Sequence, residues 1–375
     1  MADASKRATV VIDTYGGDEA PSAWVQAAAR ISVSGAARVL LLGDAPTLQE
    51  QLGLVSYDPT SLRIVPVPIP YPRRPSDTLA KTEAARRALP VAFQMLADGE
   101  ADALVSASPS SLVLELAQLL LEPLAEGVPV AAAAVIPTLP RSSGDDPFAL
   151  LLDVSGRHSR SGDDLVAFAR MGTAYARVVS RVAEPTVALL STDLSASDGP
   201  PEVVAAHERL RGSTAVHFVG NVRAVDIPRG YADVVVTDGF TGHTVRGLLD
   251  GVTQMTVDAA RYAWKAKIAW RIGLRLLSQG VRMLRKASEF REYGGAPLLG
   301  LSHLVLVASP DSSRASCENV IKLAAKCQQG GLIGEIARAL DGAARPETAS
   351  NSSNRRGAAG RKAKASSPTK RESGR

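Results

Sequence analysis

The run Val39-Leu-Leu-Leu42 and its counterpart Ala149-Leu-Leu-Leu152 are apolar at every position. A strand with one wet face alternates apolar and polar residues, whereas a strand apolar throughout is covered on both faces, as in parallel sheets beneath two layers of helices. Short Val-, Leu- and Ile-rich runs of this kind recur outward along the chain at Ala8–Asp13, Arg38–Gly43, Leu62–Val67, Ala103–Ala107, Val128–Ile136, Phe148–Val154, Val187–Ser191, Asp233–Thr237 and Leu304–Ala308. Between them lie longer segments of helical character, among them Ser76–Ala97, Ser110–Leu121, Asp163–Val182 and Ser313–Lys326. Several open with a Ser or Asp that can cap the first turn. The alternation predicts an α/β fold, a three-layer α/β/α sandwich around a largely parallel sheet. No repeat and no interior linker interrupts it, so residues 1–345 read as one domain.

Charge is unevenly placed. The chain carries 43 Lys and Arg against 38 Asp and Glu, a net of +5, yet residues 346–375 alone hold eight basic and two acidic residues. That leaves about −1 for the body, which gives no basis for a nucleic-acid-binding fold. The tail has no apolar residue larger than Ala after Pro346, and is expected to be disordered. A tail of this kind allows weak contact with anionic lipid or RNA, and equally a solvated extension. A second basic stretch runs from Arg261 to Lys286, with eight basic residues and no acidic one. Trp264, Ile268, Ile272 and Leu276 repeat along one helical face and Lys267, Arg271 and Arg275 along another, with Gly280 as a break. Residues 256–290 are therefore expected to project as a basic amphipathic helical segment, either against an anionic membrane surface or packed on protein with its basic face solvated. The polar N-terminus and the lack of a long apolar run place the chain in the cytoplasm. Cys317 and Cys327 read as reduced core thiols on a helix.

In a doubly wound sheet, ligands sit beyond the carboxyl ends of the strands. The residues there are small and polar: Asp13-Thr-Tyr-Gly-Gly-Asp18, Ser106-Ala-Ser-Pro-Ser-Ser111, Asp153-Val-Ser-Gly156, Thr237-Asp-Gly-Phe-Thr-Gly242 and Ser309-Pro-Asp-Ser312. Four or five such loops would form one rim, where helix N-termini and Gly-rich turns suit phosphate or another oxyanion. Such loops also need Gly, Ser and Asp for conformational reasons alone. G-x-S-x-G, P-loop and dinucleotide fingerprints are absent, and the five histidines lack metal-ligand spacing. No metal or cofactor is expected.

At these loops the chain resembles the phosphate acyltransferases of bacterial phospholipid synthesis. The matching pieces are Ile12-Asp13 with Gly16-Gly-Asp18 and Pro21, Leu151-Leu-Asp-Val154, Leu165 to Gly172, Phe218-Val-Gly-Asn221 with Asp226-Ile-Pro-x-Gly230, Ala232 to Val236, Asp238-Gly-Phe240 with Gly242, and Tyr293-Gly-Gly-Ala-Pro-Leu-Leu-Gly300. The resemblance implies an α/β/α sandwich, a homodimer, and a cytosolic enzyme peripheral to the membrane that moves a fatty acyl group from acyl carrier protein to inorganic phosphate. It implies Asp13, Asp18, Asn221 and Asp238 as catalytic residues. Gly16, Gly17, Ser106, Ser110, Asp153, Gly239, Gly242, Ser309 and Ser312 would bind phosphate or substrate. Lys265, Lys267, Arg271, Arg275, Trp264 and Trp270 would touch the acidic carrier, an anionic membrane or a membrane acyltransferase; Arg73-Arg74 and Arg86-Arg87 are further candidates for steering the carrier.

The rim departs from the family pattern at several loops: Ser106 to Ser111 replaces Ser-Ala-Gly-Asn-Thr-Gly, Ser191 to Ser195 replaces Asn-Ile-Gly-Glu-Glu, and Ser309 to Ser312 replaces His-Gly-Ser-Ser. The pairs Ser108-Pro109 and Ser309-Pro310 read as an N-cap followed by proline at the first helical position. Asp311 would place a negative charge near the expected oxyanion. These departures leave a second reading open, a homologue with impaired or no catalysis acting as a scaffold or regulator that binds acyl carrier protein.

Overall fold

The computed structural model describes residues 7–72, 74, 76–139, 148–157, 161–266, 295–311 and 313–341. In chain order the elements are β1 (Thr9–Asp13), α1 (Ser22–Ser34), β2 (Arg38–Gly43), α2 (Ala45–Leu52), β3 (Leu62–Pro66), α3 (Thr78–Ala97), β4 (Ala103–Ser106), α4 (Ser110–Leu120), β5 (Ala131–Pro137), β6 (Phe148–Leu152) and α5 (Gly162–Tyr175). They continue with β7 (Thr186–Leu190), α6 (Pro201–Arg211), β8 (His217–Val222), β9 (Val234–Val236), α7 (Gly239–Ala266), β10 (Ala296–Leu299), β11 (Leu304–Val307), α8 (Arg314–Gln329) and α9 (Leu332–Asp341).

All these strands join one sheet in the order β3-β2-β1-β4-β11-β10-β5-β6-β9-β7-β8. The strands β3, β2, β1, β4 and β11 are mutually parallel, and so are β6, β9, β7 and β8. Between these blocks β10 runs antiparallel to both β11 and β5, and β5 runs antiparallel to β6. The two parallel blocks therefore point in opposite directions. The apolar runs Val39–Leu42 and Ala149–Leu152 lie in β2 and β6 and are buried throughout.

Each face of the sheet carries its own core. On one face, Trp24 and Ile31 of α1, Leu165 and Phe168 of α5, and Val320 and Ile321 of α8 pack with Val10, Ile12 and Val105. On the other, α3 and α4 supply Leu89, Phe93, Leu112 and Val113 against Val11, Leu104 and Val305, while Val245 and Leu249 of α7 lean on the same cluster. The sandwich is thus three-layered. Its second layer has a gap between α4 and α7, above β10 and β5.

Two strands lie outside the sequence-based expectation, for physical reasons. The edge strand β8 reads His217-Phe-Val-Gly-Asn-Val, with Gly220 at φ +99° and His217 and Val219 exposed. A strand with one neighbour needs no continuous apolar run. The four-residue β10 contains Pro297, which ordinarily argues against a central strand. At its other boundary, α7 begins at Gly239, so residues 256–266 continue a helix that already packs on the sheet. Residues 267–290, which carry the rest of the expected basic segment, lie outside the described residues, as does the tail.

Leu104, fully buried at the centre of β4, tests this core. Leu104→Ala should lose about 2–5 kcal/mol of unfolding free energy, read by urea denaturation.

Candidate functional site

Two buried carboxylates organise the loops around the gap. Asp13, at the end of β1, accepts Ser106 Oγ at 2.7 Å and Ser108 Oγ at 2.6 Å on one oxygen, and Tyr15 N–H at 3.0 Å on the other. The Gly16 backbone then lies against the loop after β4: a Cβ on Gly16 would sit 2.2 Å from Ser108 N. Trp24 Nε1 donates to Gly16 O, Lys81 Nζ donates to Gly17 O at 2.7 Å, and Asp18 N–H donates to Pro310 O at 2.7 Å. The loops after β1, β4 and β11 are one hydrogen-bonded unit.

Asp153, one residue past β6, plays the same part in the opposite block. Its oxygens accept Ala132 N–H and Ser155 N–H, each at 2.8 Å, and Ser155 Oγ at 2.6 Å. The first turn of α7 packs directly on this loop. Gly156 N–H donates to Gly239 O, and a Cβ on Gly242 would lie 1.9 Å from Asp153 O. Asp238 caps α7, accepting Phe240 and Thr241 N–H groups at 3.0 Å each.

Between these units lies a cleft of about 440 Å³. Its floor includes Ala132, Ala296 and Leu298 of the antiparallel strands, the two alanines leaving it low. One wall is Ser108 to Ser111 with Ser309 and Pro310; the other is Val154 and Ser155 with His243, Arg246 and Asp250 of α7. The amino end of α4 enters the first wall without a side-chain cap, and its first intrahelical bond is from Val113 N–H to Pro109 O. That leaves the N–H groups of Ser110 and Ser111 at the positive end of the helix dipole. Arg246 lines the opposite wall and makes no hydrogen bond or ion pair with any described residue. A helix N-terminus, serine hydroxyls and a guanidinium around one cavity suit a small oxyanion.

The expected site residues fall into distinct places. Ser110 and Ser309 line the cleft, while Ser106, Asp13 and Asp153 are buried behind its walls and hold them. Gly16, Gly239 and Gly242 allow the close approaches of the two loop units, and Gly17 takes a left-handed φ of +101°. Asp18 is exposed on the Gly16–Asp18 loop beside Pro310. Asn221 is far along the edge strand β8, where its Oδ1 meets His207 Nδ1 at 2.9 Å and its Nδ2 donates to Ser195 O. The loops thus do not make one rim, because reversal of the sheet separates them into two walls. Trp264 and Lys265 lie near the end of α7. Ser312, Lys267, Trp270, Arg271, Arg275 and Arg73 lie outside the described residues.

The Ser-Pro pairs also behave differently from expectation. Pro109 itself takes the N-cap position with extended backbone, because Ser108 Oγ is committed to Asp13. Helix α8 starts four residues beyond Pro310 and is capped by Ser313, while Ser309 Oγ donates to Asp311. Sequence reasoning passed over His243 and Arg246, and included Ser111 and Ser155 only as members of the rim loops. The available signal was the helical spacing of His243, Arg246 and Asp250, which puts them on neighbouring turns of one helix.

With this geometry in hand, comparison with known proteins is direct. The family described as "Fatty acid synthesis protein" matches residues 8–334. The chain belongs to this family. A phosphate acyltransferase from Moorella thermoacetica is 31% identical over 324 residues, spanning 86% of this chain and 93% of the relative. One from Myxococcus xanthus is 34% identical over 346 residues, spanning 89% and 94%. A phosphotransacetylase from Streptococcus pyogenes shares the fold, with a TM-score of 0.56 at 15% identity over 87% of this chain and 95% of its own.

Neither cysteine competes for the chemistry: burial pushes both thiols up to about 12. Burial also pushes the Asp13 carboxyl above its ordinary 3.8, against the hydrogen bonds from Ser108, Ser106 and Tyr15. An acid raised on folding contributes its full share of stability below about pH 4 and loses it as pH rises through the raised value. Urea unfolding across that range should show the stability of the native chain, relative to Asp13→Asn, falling as pH rises. Gly242→Ala should cost at least about 1–3 kcal/mol on the same assay, since its methyl has no space beside Asp153 O.

Proposed function

We propose that the chain transfers a fatty acyl group from acyl carrier protein to inorganic phosphate, and that phosphate sits between the amino end of α4 and Arg246. The observation that carries the placement is that Arg246, without a partner among the described residues, and the uncapped start of α4 line one cleft. The relatives' shared name, phosphate acyltransferase, supports the reaction.

The chemistry asks little of the protein beyond placement. A phosphate oxygen attacks the thioester carbonyl carbon, forming a C–O bond and a tetrahedral oxyanion. Collapse breaks the C–S bond; the carrier thiolate departs and takes up the proton lost by the attacking hydrogenphosphate, directly or through water. The products are acyl phosphate and the carrier thiol. Phosphate is itself the nucleophile, so no activated Ser or Cys is needed. Arg246 and the α4 N–H groups hold it in line and stabilise the charge that develops. Asp13 and Asp153 act behind the walls, keeping Ser108 and Ser155 in place.

A homodimer and peripheral membrane contact form the finer part of this reading. Leu248 and Met255 of α7 are 66% and 65% exposed, and exposed apolar residues on one long helix support coverage by a second copy. The basic residues from Arg261 onward support contact with anionic lipid or the acidic carrier. Among the described residues no helix is long and apolar enough to cross a membrane.

The deciding experiment incubates the purified chain with long-chain acyl carrier protein thioester and phosphate, and traps acyl phosphate with hydroxylamine. Product should depend on both protein and phosphate; its absence from folded protein removes the enzymatic reading. Arg246→Ala should lower kcat/KM for phosphate about 10- to 150-fold, the equivalent of one charge-assisted hydrogen bond, with the fold unchanged by circular dichroism. An unaltered dependence on phosphate would move the anion site elsewhere.

A further inference from the structure

We infer that an apolar groove adjoining the cleft receives the fatty acyl chain of the thioester. The inference rests on the acyl-transfer reading and extends it to a second subsite. The groove has a volume of about 510 Å³. Leu249, Val252 and Val257 of α7 form one side, and Ile136, Leu139 and Val225 form the other.

What commits the groove to an acyl chain is its continuity with the polar cleft. Arg246 and Asp250 line both cavities. A substrate whose carbonyl lies beside phosphate at Arg246 has its apolar end directed past Arg246 and Asp250 into the groove. The lining runs from Arg246 to Val257, about 16 Å along the helix at 1.5 Å per residue. That suits an extended chain better than a compact ligand. The apolar surface is also wet: Val225 is 57% and Val252 47% exposed. Each methylene withdrawn from water there should be worth about a fourfold gain in affinity. Arg246 and Asp250 stand where the cleft begins, and past them apolar side chains line the groove together with Thr138, Arg229, Thr253 and Thr256, so the reacting end meets its charged partners at the junction and the apolar remainder lies beyond it.

The test narrows the groove from either side with Val252→Trp and, separately, Val225→Trp, both at half-exposed positions outside the phosphate cleft. Acyl phosphate formation is measured with hexadecanoyl and butanoyl thioesters of acyl carrier protein. Each variant should lose at least about tenfold in kcat/KM for the hexadecanoyl substrate while the butanoyl rate stays within about twofold of native. Equal losses on both substrates, or no loss on either, overturn the groove assignment and leave the acyl-transfer reading standing. If the native chain forms no acyl phosphate at all, that reading fails separately, and the groove is judged by fluorescence titration with cis-parinaric acid. Saturable binding that the Trp variants weaken keeps an acyl chain as occupant. Absence of binding, or binding the variants leave unchanged, overturns it, as does a groove closed by self-association that no fatty chain displaces.

Discussion

Two fully buried carboxylates hold the working part of this molecule together. Asp13 and Asp153 each stand at the end of a strand, each accept the N–H of the residue two positions on, and each bind serine hydroxyls. A carboxylate removed from water is costly unless its oxygens are satisfied by donors. Each therefore fixes the loop that supplies those donors. Asp13 ties the β1 loop to the β4 loop, and Asp153 ties the β6 loop to β5. The cleft is the space between these two units, so its width is set by groups that do not line it.

That space exists because the sheet changes direction. Had all the strands been parallel, the carboxyl-end loops would share one edge and the helices could cover both faces without a break. Instead the blocks meet across the antiparallel strands β10 and β5. Ala132 and Ala296 keep the floor there low, and neither α4 nor α7 reaches over it. The sites on the two walls come from opposite blocks. A small ligand held between the walls meets donors from both blocks at once, which neither block could supply alone.

The sequence makes the layers legible and the cleft only partly so. Strands such as Val39–Leu42 announce themselves because burial on both faces demands an apolar residue at every position. The strand that creates the cleft, Ala296–Leu299, is short, contains a proline and pairs in the unexpected direction, none of which periodicity reveals. Residues on loops were legible as polar and flexible, but their orientation depends on which loop they meet. Ser108 looked like a helix cap and instead bonds Asp13; Asp238, catalytic by the resemblance, also caps α7, which the sequence did not reveal. Arg246 was hidden for a related reason. On a long helix with many charges, a lone arginine resembles any solvated residue until the fold shows that an uncapped helix end faces it.

With phosphate placed at Arg246 as proposed, a rim altered from the family pattern can still keep one function. Ser106 to Ser111 contributes backbone N–H groups through the start of α4, and a backbone donor survives most changes of side chain. Proline is the exception, since it has no N–H, yet Pro109 sits at the cap position, one residue before the N–H groups of Ser110 and Ser111. An N-cap residue contributes its carbonyl to the first turn rather than an N–H to an anion. The loss of a donor at that position therefore leaves the N–H groups of Ser110 and Ser111 at the start of α4 intact, and in the proposed site Arg246 supplies the positive charge opposite. Substitution of loop side chains can be tolerated as long as the helix start, the two buried aspartates and this arginine stay where they are.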